Sequence, residues 1–186
     1  YFGVLESTFG AHNARGWLLH FNATLTTSAT PGGFGWDNTP SIVPAAMVPS
    51  YAGTSSYLLM TKYNNYRGVG SGNGVNQLAV IDPHATQIDP ISARTIMKEI
   101  LTIAGPTLEA GSATAVKEWC INTAAVDPLR KSILVNSEDG YLYRWDVSTN
   151  RLTQRIQLTS GIGEAYTATV IGADGAVYAV NNAVLF

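Results

Sequence analysis

Apolar and polar residues alternate in short runs along most of the chain, and Gly, Asn, Asp and Pro separate the runs. That pattern predicts strands joined by turns. Helical periodicity is nearly absent. Only "ISARTIMKEIL" (91–101) reads as a helix, and 96–103 reads equally well as a strand. The runs also recur. "WLLHFN" (17–22), "QLAVID" (77–82) and "YLYRWD" (141–146) each carry an alternating apolar face and end in Asp or Asn. Each follows another apolar run and a turn. "TATVIGADGAVYAVNNAVLF" opens the pattern once more, with "ADG" and "NNA" as its turns.

Equivalent runs lie about 60 residues apart, stretched by loops such as "RGVGSGNGVN". A unit of four strands and three turns takes about 40–45 residues without insertions, the period of a β-propeller blade. The predicted architecture is therefore all-β: a single β-propeller segment, 1–186, of four-stranded antiparallel blades. Blade one (1–34, partial) has strands at 2–7, 17–22 and 24–28. Blade two (35–108) has 41–47, 56–63, 77–82 and 96–103. Blade three (109–160) has 121–126, 132–136, 141–146 and 152–158. Blade four (161–186, partial) has 167–172 and 176–180. A β-sandwich is the structural alternative. About three and a half blades cannot close a ring, since propellers have roughly four to eight. The expectation is a partial ring, completed by further blades or by a second chain in a homodimer.

Composition narrows the function classes. Apolar residues make up 46% and charged residues 13%, so Thr, Ser, Asn and Gly carry the polarity, as is common in secreted proteins. The expected location is secreted or periplasmic. A net charge of -2 and no basic cluster give no attraction to nucleic acid. No apolar stretch is long enough to span a bilayer as a helix. One cysteine excludes an intrachain disulfide and a Cys-rich metal site. The chain begins at Tyr1 rather than Met, as a processed, trimmed or partial sequence would. Asn22 opens an Asn-Ala-Thr glycosylation sequon, a short motif that arises often by chance.

Propeller geometry would gather the loops between strands two and three of each blade, and those between blades, on one face. That face collects Thr8, His12, Asn13, Arg15, Asp37, Asn38, Tyr63, Asn64, Asn65 and Tyr66 from the first half. Trp119, Cys120, Glu138, Asp139, Glu164, Tyr166, Asn181 and Asn182 follow from the second. The opposite face receives the plainer turns "YAGTS", "DPLRK", "VSTN" and "ADG". An end lined by acids, amides and aromatics is the default site for a small-molecule, carbohydrate or protein ligand. The ligand-binding candidates are Asp37, Asn38, Tyr63, Asn65, Trp119, Cys120, Glu164, Tyr166, Asn181 and Asn182.

Each candidate has a structural alternative. Cys120 suits a small buried filler, with Trp119 packed between blades. The Asn pairs suit left-handed turns, and "SEDG" suits a tight turn. Glu164, set between glycines in "GIGEAYT", is the candidate catalytic acid or cation ligand. Asp37, Glu164 and Asn181 are the candidate metal ligands, and calcium, which takes carboxylate and amide oxygens, is the candidate ion. The three histidines are scattered in sequence, with His84 expected after an Asp-Pro turn, which argues against a zinc site.

"SEDGYLYRWDVSTNRLTQRIQL" followed by "GADGAVYAVNNAVLF" resembles the blades of bacterial quinoprotein-alcohol-dehydrogenase-like (PQQ-like) propellers. "GWDNTPSIVPAAMVPSY", "YLLMTKYNNY", "EWCINTAAVDP" and "GIGEAYT" are similar to segments of a family of secreted bacterial propeller proteins. The resemblance implies the fold along nearly the whole chain. It does not carry quinone chemistry with it. The tryptophan-docking pattern Ala-x-Asp-x-x-x-Gly-x-x-x-Trp is absent, Asn150 standing where its Gly belongs, and there is no adjacent cysteine pair. The expected function is a binding module acting through the loop face. The alternative is an enzyme on the same face, either a calcium-dependent lactonase or lyase or a diverged quinoprotein enzyme.

Overall fold

The computed structural model describes residues 2–5, 16–33, 40–63, 65–68, 72–119, 121, 123–161 and 169–186. Strands β1 (Phe2–Leu5), β2 (Gly16–Phe21) and β3 (Ser28–Gly32) form a first, three-stranded sheet. Strands β4 (Ser41–Pro44), β5 (Tyr57–Tyr63), β6 (Gln77–Ile88) and β7 (Thr95–Ala104) form a second sheet of four. Strands β8 (Ala125–Asp127), β9 (Ser132–Asn136), β10 (Tyr141–Asp146) and β11 (Arg151–Gln157) form a third, also of four. Two hairpins follow: β12 (Val170–Ile171) with β13 (Val177–Tyr178), and β14 (Val180–Asn181) with β15 (Val184–Leu185). Every sheet is antiparallel and joins strands in chain order. Among the described residues there is no α-helix, and none long and apolar enough to cross a membrane.

The inner strands of the two four-stranded sheets are covered on both faces, and strand periodicity divides their side chains between the two coverings. Successive residues of a strand point to opposite faces. On β5, Leu58 and Met60 pack toward the third sheet while Leu59 packs toward the first. On β6, Leu78 and Val80 go one way and Ala79 and Ile81 the other. The third sheet repeats this. Ile133, Val135, Tyr143 and Trp145 face the second sheet, and Leu134 and Leu142 face the C-terminal hairpins beside Ile171, Val177 and Ala179. "YLLM", "LAVI" and "SILV" are continuous apolar runs because neither face of the sheet meets water. The leading strands of successive sheets lie side by side, β4 against β8 and β8 against β12. The Ser41 hydroxyl donates to the Ala124 carbonyl at 3.0 Å, and the Thr169 N–H to the Thr123 carbonyl at 3.0 Å.

The side chain of the recurrent Asp or Asn bonds forward to the backbone that follows it. Asp146 Oδ1 accepts the N–H groups of Ser148 (2.9 Å) and Thr149 (3.1 Å). These bonds, led by one from the Ser148 hydroxyl, hold its carboxyl below the usual aspartate range. Asn22 Oδ1 accepts the Thr26 N–H at 2.9 Å, and Asp82 Oδ1 the His84 N–H at 2.8 Å. A short side-chain oxygen bonding forward to the backbone is the Asx-turn device.

Several elements differ from expectation. The strand expected at 24–28 is a turn folded around Asn22, and the strand begins at Ser28. Asp82-Pro83 is not a turn. β6 runs on to Ile88, with a register shift against β7 between Asp82 and Thr86. The helical reading of 91–101 fails, because Thr95–Ala104 pairs with β6 along its length. The strand expected at 41–47 ends at Pro44 and gives way to a 3-10 turn, Ala45–Met47. Of 121–126, only Ala125 and Val126 fall within β8, and 167–168 lie outside the described residues.

Trp145 tests the two-faced core. Its ring is fully buried, and its Nε1 donates to Asn150 Oδ1 at 3.0 Å. Trp145→Ala is expected to lower stability by about 3–5 kcal/mol in denaturant unfolding. Ile156→Ala, on an exposed position of β11, is expected to change it by about 0.5 kcal/mol or less.

Candidate functional site

At the end of the sheets where β5 turns toward β6 and β7 leads to β8, polar side chains tie the connections together. The turn between β9 and β10, "SEDG", is the hub. Asp139, 9% exposed, accepts three hydrogen bonds: from the Thr107 hydroxyl (2.6 Å), the Tyr143 hydroxyl (2.6 Å) and the Tyr141 N–H (3.0 Å). Burial, and then the bond to Asp139, push the Tyr143 phenol up to about 12. Glu138 N–H donates to the Glu118 carbonyl at 3.1 Å, and Glu118 N–H to Glu138 Oε2 at 3.3 Å. The Tyr66 hydroxyl donates to the Glu118 carboxylate. Lys117 Nζ lies 3.4 Å from Glu138 and 3.5 Å from Glu109. Burial works against the Lys117 ammonium, but the two carboxylates outweigh it and hold its pKa above the ordinary lysine value.

Gly140 makes this convergence possible. Its φ is +86°, and a Cβ there would sit 2.6 Å from both the Gly161 nitrogen and the Thr159 carbonyl. Only glycine fits the left-handed backbone and the close approach together.

Buried amides brace successive sheets at the same end. Asn136 Nδ2 donates to Thr169 Oγ1 at 3.2 Å, and its Oδ1 is buried with no partner among the described residues. Asn181 accepts the Thr159 hydroxyl at 2.6 Å and donates to the Ser137 carbonyl at 3.5 Å. Asn136 closes β9 in "LVNS", and Asn181 closes β14 in "AVNN". Asn76 does similar work between loops, accepting the Asn65 N–H at 2.7 Å and donating to the Val116 carbonyl at 2.8 Å.

Two concavities differ in character. A pocket of about 260 Å³ lies within the polar end, lined by Tyr66, Arg67, Gly74, Asn76, Glu109, Ala110, Ala115 and Val116. A larger groove of about 450 Å³ lies on the far face of the third sheet, among Leu134, Leu142, Ile156 and Val177 with Arg144 and Arg155. The groove is a gap between β11 and the C-terminal hairpins. The polar pocket carries the more varied chemistry: an aromatic ring, a guanidinium, an amide and a carboxylate around one space.

The residues singled out from sequence divide three ways. Tyr63, Asn65 and Tyr66 lie at this end, and Asn65 Nδ2 donates to Asn73 Oδ1 at 2.7 Å. Trp119 is fully buried between the second and third sheets, edge to face with Tyr143 at 5.7 Å. Asn181 is fully buried with its amide engaged on both sides, and Asn182 supplies a positive-φ turn residue (φ +49°). Asp37, Asn38, Cys120, Glu164 and Tyr166 lie outside the described residues, as do Thr8, His12, Asn13, Arg15 and Asn64. Among the described residues no three His, Cys, Asp or Glu side chains form a metal-binding group. Arg67, Asn76, Glu109 and Lys117 were not legible as site residues. Their signal in sequence is only their position in the long connections before β6 and β8.

No protein-family model matches the chain, and no curated protein is significantly similar to it in sequence.

The Asp139 hub makes a measurable claim. Asp139→Ala strands two hydroxyl donors and one N–H, and is expected to cost about 2–4 kcal/mol of stability. The alkaline limb has a definite sign. Tyr143 titrates higher folded (about 12) than unfolded (about 10), so its contribution is full below about pH 10 and is lost as pH rises through about 12. Absorbance titration of the phenols should show this high component move down in Asp139→Ala.

Proposed function

We propose that the chain is a secreted or periplasmic β-propeller segment that binds a small, hydroxyl-rich ligand, such as a carbohydrate, at its polar loop end. The observation that carries this reading is the pocket bounded by Tyr66, Arg67, Asn76 and Glu109. An aromatic face, a fixed cation, an amide and a carboxylate around about 260 Å³ suit a ligand that both donates and accepts hydrogen bonds. The Tyr66–Glu118 and Lys117–Glu138 ties support it by holding that wall in place before a ligand arrives. The resemblance to PQQ-like propellers, the sheets stacked face to face and the leading strands set side by side support the propeller reading. The low charge content supports the location. The enzymatic alternative, a calcium-dependent lactonase or lyase or a diverged quinoprotein enzyme, would rest on Asp37 and Glu164 outside the described residues.

The test is a calorimetric screen of mono- and oligosaccharides against the wild type and two variants. Arg67→Ala and Glu109→Gln are each expected to weaken a binding sugar about tenfold, or ~1.4 kcal/mol, without lowering the unfolding midpoint. Binding that is equal in all three proteins would move the site elsewhere.

A second reading concerns assembly. The outer side of the C-terminal hairpins exposes Val170 (51%), Tyr178 (45%) and Leu185 (66%), whereas the inner strands of the two four-stranded sheets are covered on both faces. Another four-stranded sheet, from a second copy or from further chain, is the cover this repetition calls for. Light scattering is expected to give a mass near twice 19.8 kDa if two copies supply it. Val170→Lys/Leu185→Lys should then return the mass to that of one chain.

A further inference from the structure

Toward the opposite end of the strands, two histidines far apart in sequence meet across the contact between the first and second sheets. The ring centres of His20 on β2 and His84 on β6 are 5.9 Å apart, with the planes inclined at 69°. His20 is half-buried and His84 is exposed. The ring of Tyr57 stands edge to face with His84 at 5.4 Å. His84 occupies this position because β6 is irregular there. Its register against β7 shifts between Asp82 and Thr86, and Pro83 has no N–H for the ladder. The buried Asp82 carboxylate accepts the His84 N–H at 2.8 Å and the Ser55 hydroxyl, pinning the segment. Bulges of this kind re-aim a side chain out of the regular alternation.

We propose that His20 and His84 form a two-imidazole site for a divalent zinc ion that clamps the first sheet onto the second. Imidazole is a preferred ligand for zinc, and a zinc–nitrogen bond of about 2.1 Å places two ligated ring centres about 5–6.5 Å apart. The observed separation falls in that range. The exposed side of His84 admits the ion and leaves the remaining coordination positions to water. Asp82 acts on the site indirectly, by fixing the backbone that carries His84. The two ligands come from different sheets, so binding favours the docked arrangement over one in which β2 has separated from β6.

The test is calorimetric titration of the tag-free chain with zinc chloride at neutral pH, with thermal unfolding in parallel. The wild type is expected to take up one equivalent of zinc and to unfold at a higher temperature with zinc than without. His84→Gln changes an exposed side chain and leaves the metal-free fold in place. It is expected to weaken uptake at least tenfold and to abolish the thermal shift, and His20→Gln to do the same. No uptake at ~1 mM zinc, which is an affinity weaker than about -4 kcal/mol, overturns the proposal. Uptake retained in the His20→Gln/His84→Gln double variant, or lost in His12→Gln alone, overturns it equally by placing the ion elsewhere.

Discussion

Burial of both faces of the inner strands of the two four-stranded sheets is the constraint on which the remaining structure rests. It turns the simple alternation of a strand into two separate interfaces. Leu58 and Met60 serve one and Leu59 the other; Leu134 is shared out in the same way from Ile133 and Val135. A slip of one residue in β5 or β9 would exchange these sets, so register is held from both sides at once. The same constraint leaves polar chemistry nowhere to go but the strand ends. The central strands have no solvent face on which to display it.

What gathers at the polar end is accordingly dense in mutual bonds. Asp139 binds two hydroxyls and an N–H, Glu118 and Glu138 exchange backbone and side-chain contacts, and Asn181 reaches between sheets. Much of the polarity that reads as candidate chemistry is thus committed to holding connections together. A buried carboxylate without such partners would carry a large desolvation cost. The pocket beside Tyr66 and Arg67 lies at the margin of this network. There the bonded framework supplies rigidity and the space beside it remains available to a ligand.

The irregular segment of β6 shows the same economy at the other end. One aspartate caps the backbone of His84, a proline withholds a ladder bond, and the strand then resumes pairing at Thr86. Asp146 caps its own turn with a similar set of bonds, but there the strand ends. The outcome differs because β6 has β7 beside it on both sides of the interruption, whereas β10 reverses directly into β11.

The sequence by itself determined the all-β class, the order of the strands and most of their limits. β9 and β10 coincide with the expected ranges, β5 differs by one residue at its start and β7 by one residue at each end. Alternation and turn residues act locally, so they are legible without knowing what lies across the sheet. The role of the recurrent Asp was less legible, since the same residue ends a strand at Asp146 and only bends one at Asp82. Which loop residues meet was decided only by the tertiary structure. Tyr66 reaches Glu118, Thr107 reaches Asp139, and His20 meets His84, each across a long stretch of chain. Trp119 likewise reads in sequence as either pocket wall or core. The packing of the second sheet on the third made it core, because that contact covers both the tryptophan and Tyr143. Strand periodicity prescribes which way a side chain points; the stacking of the sheets decides what it meets there.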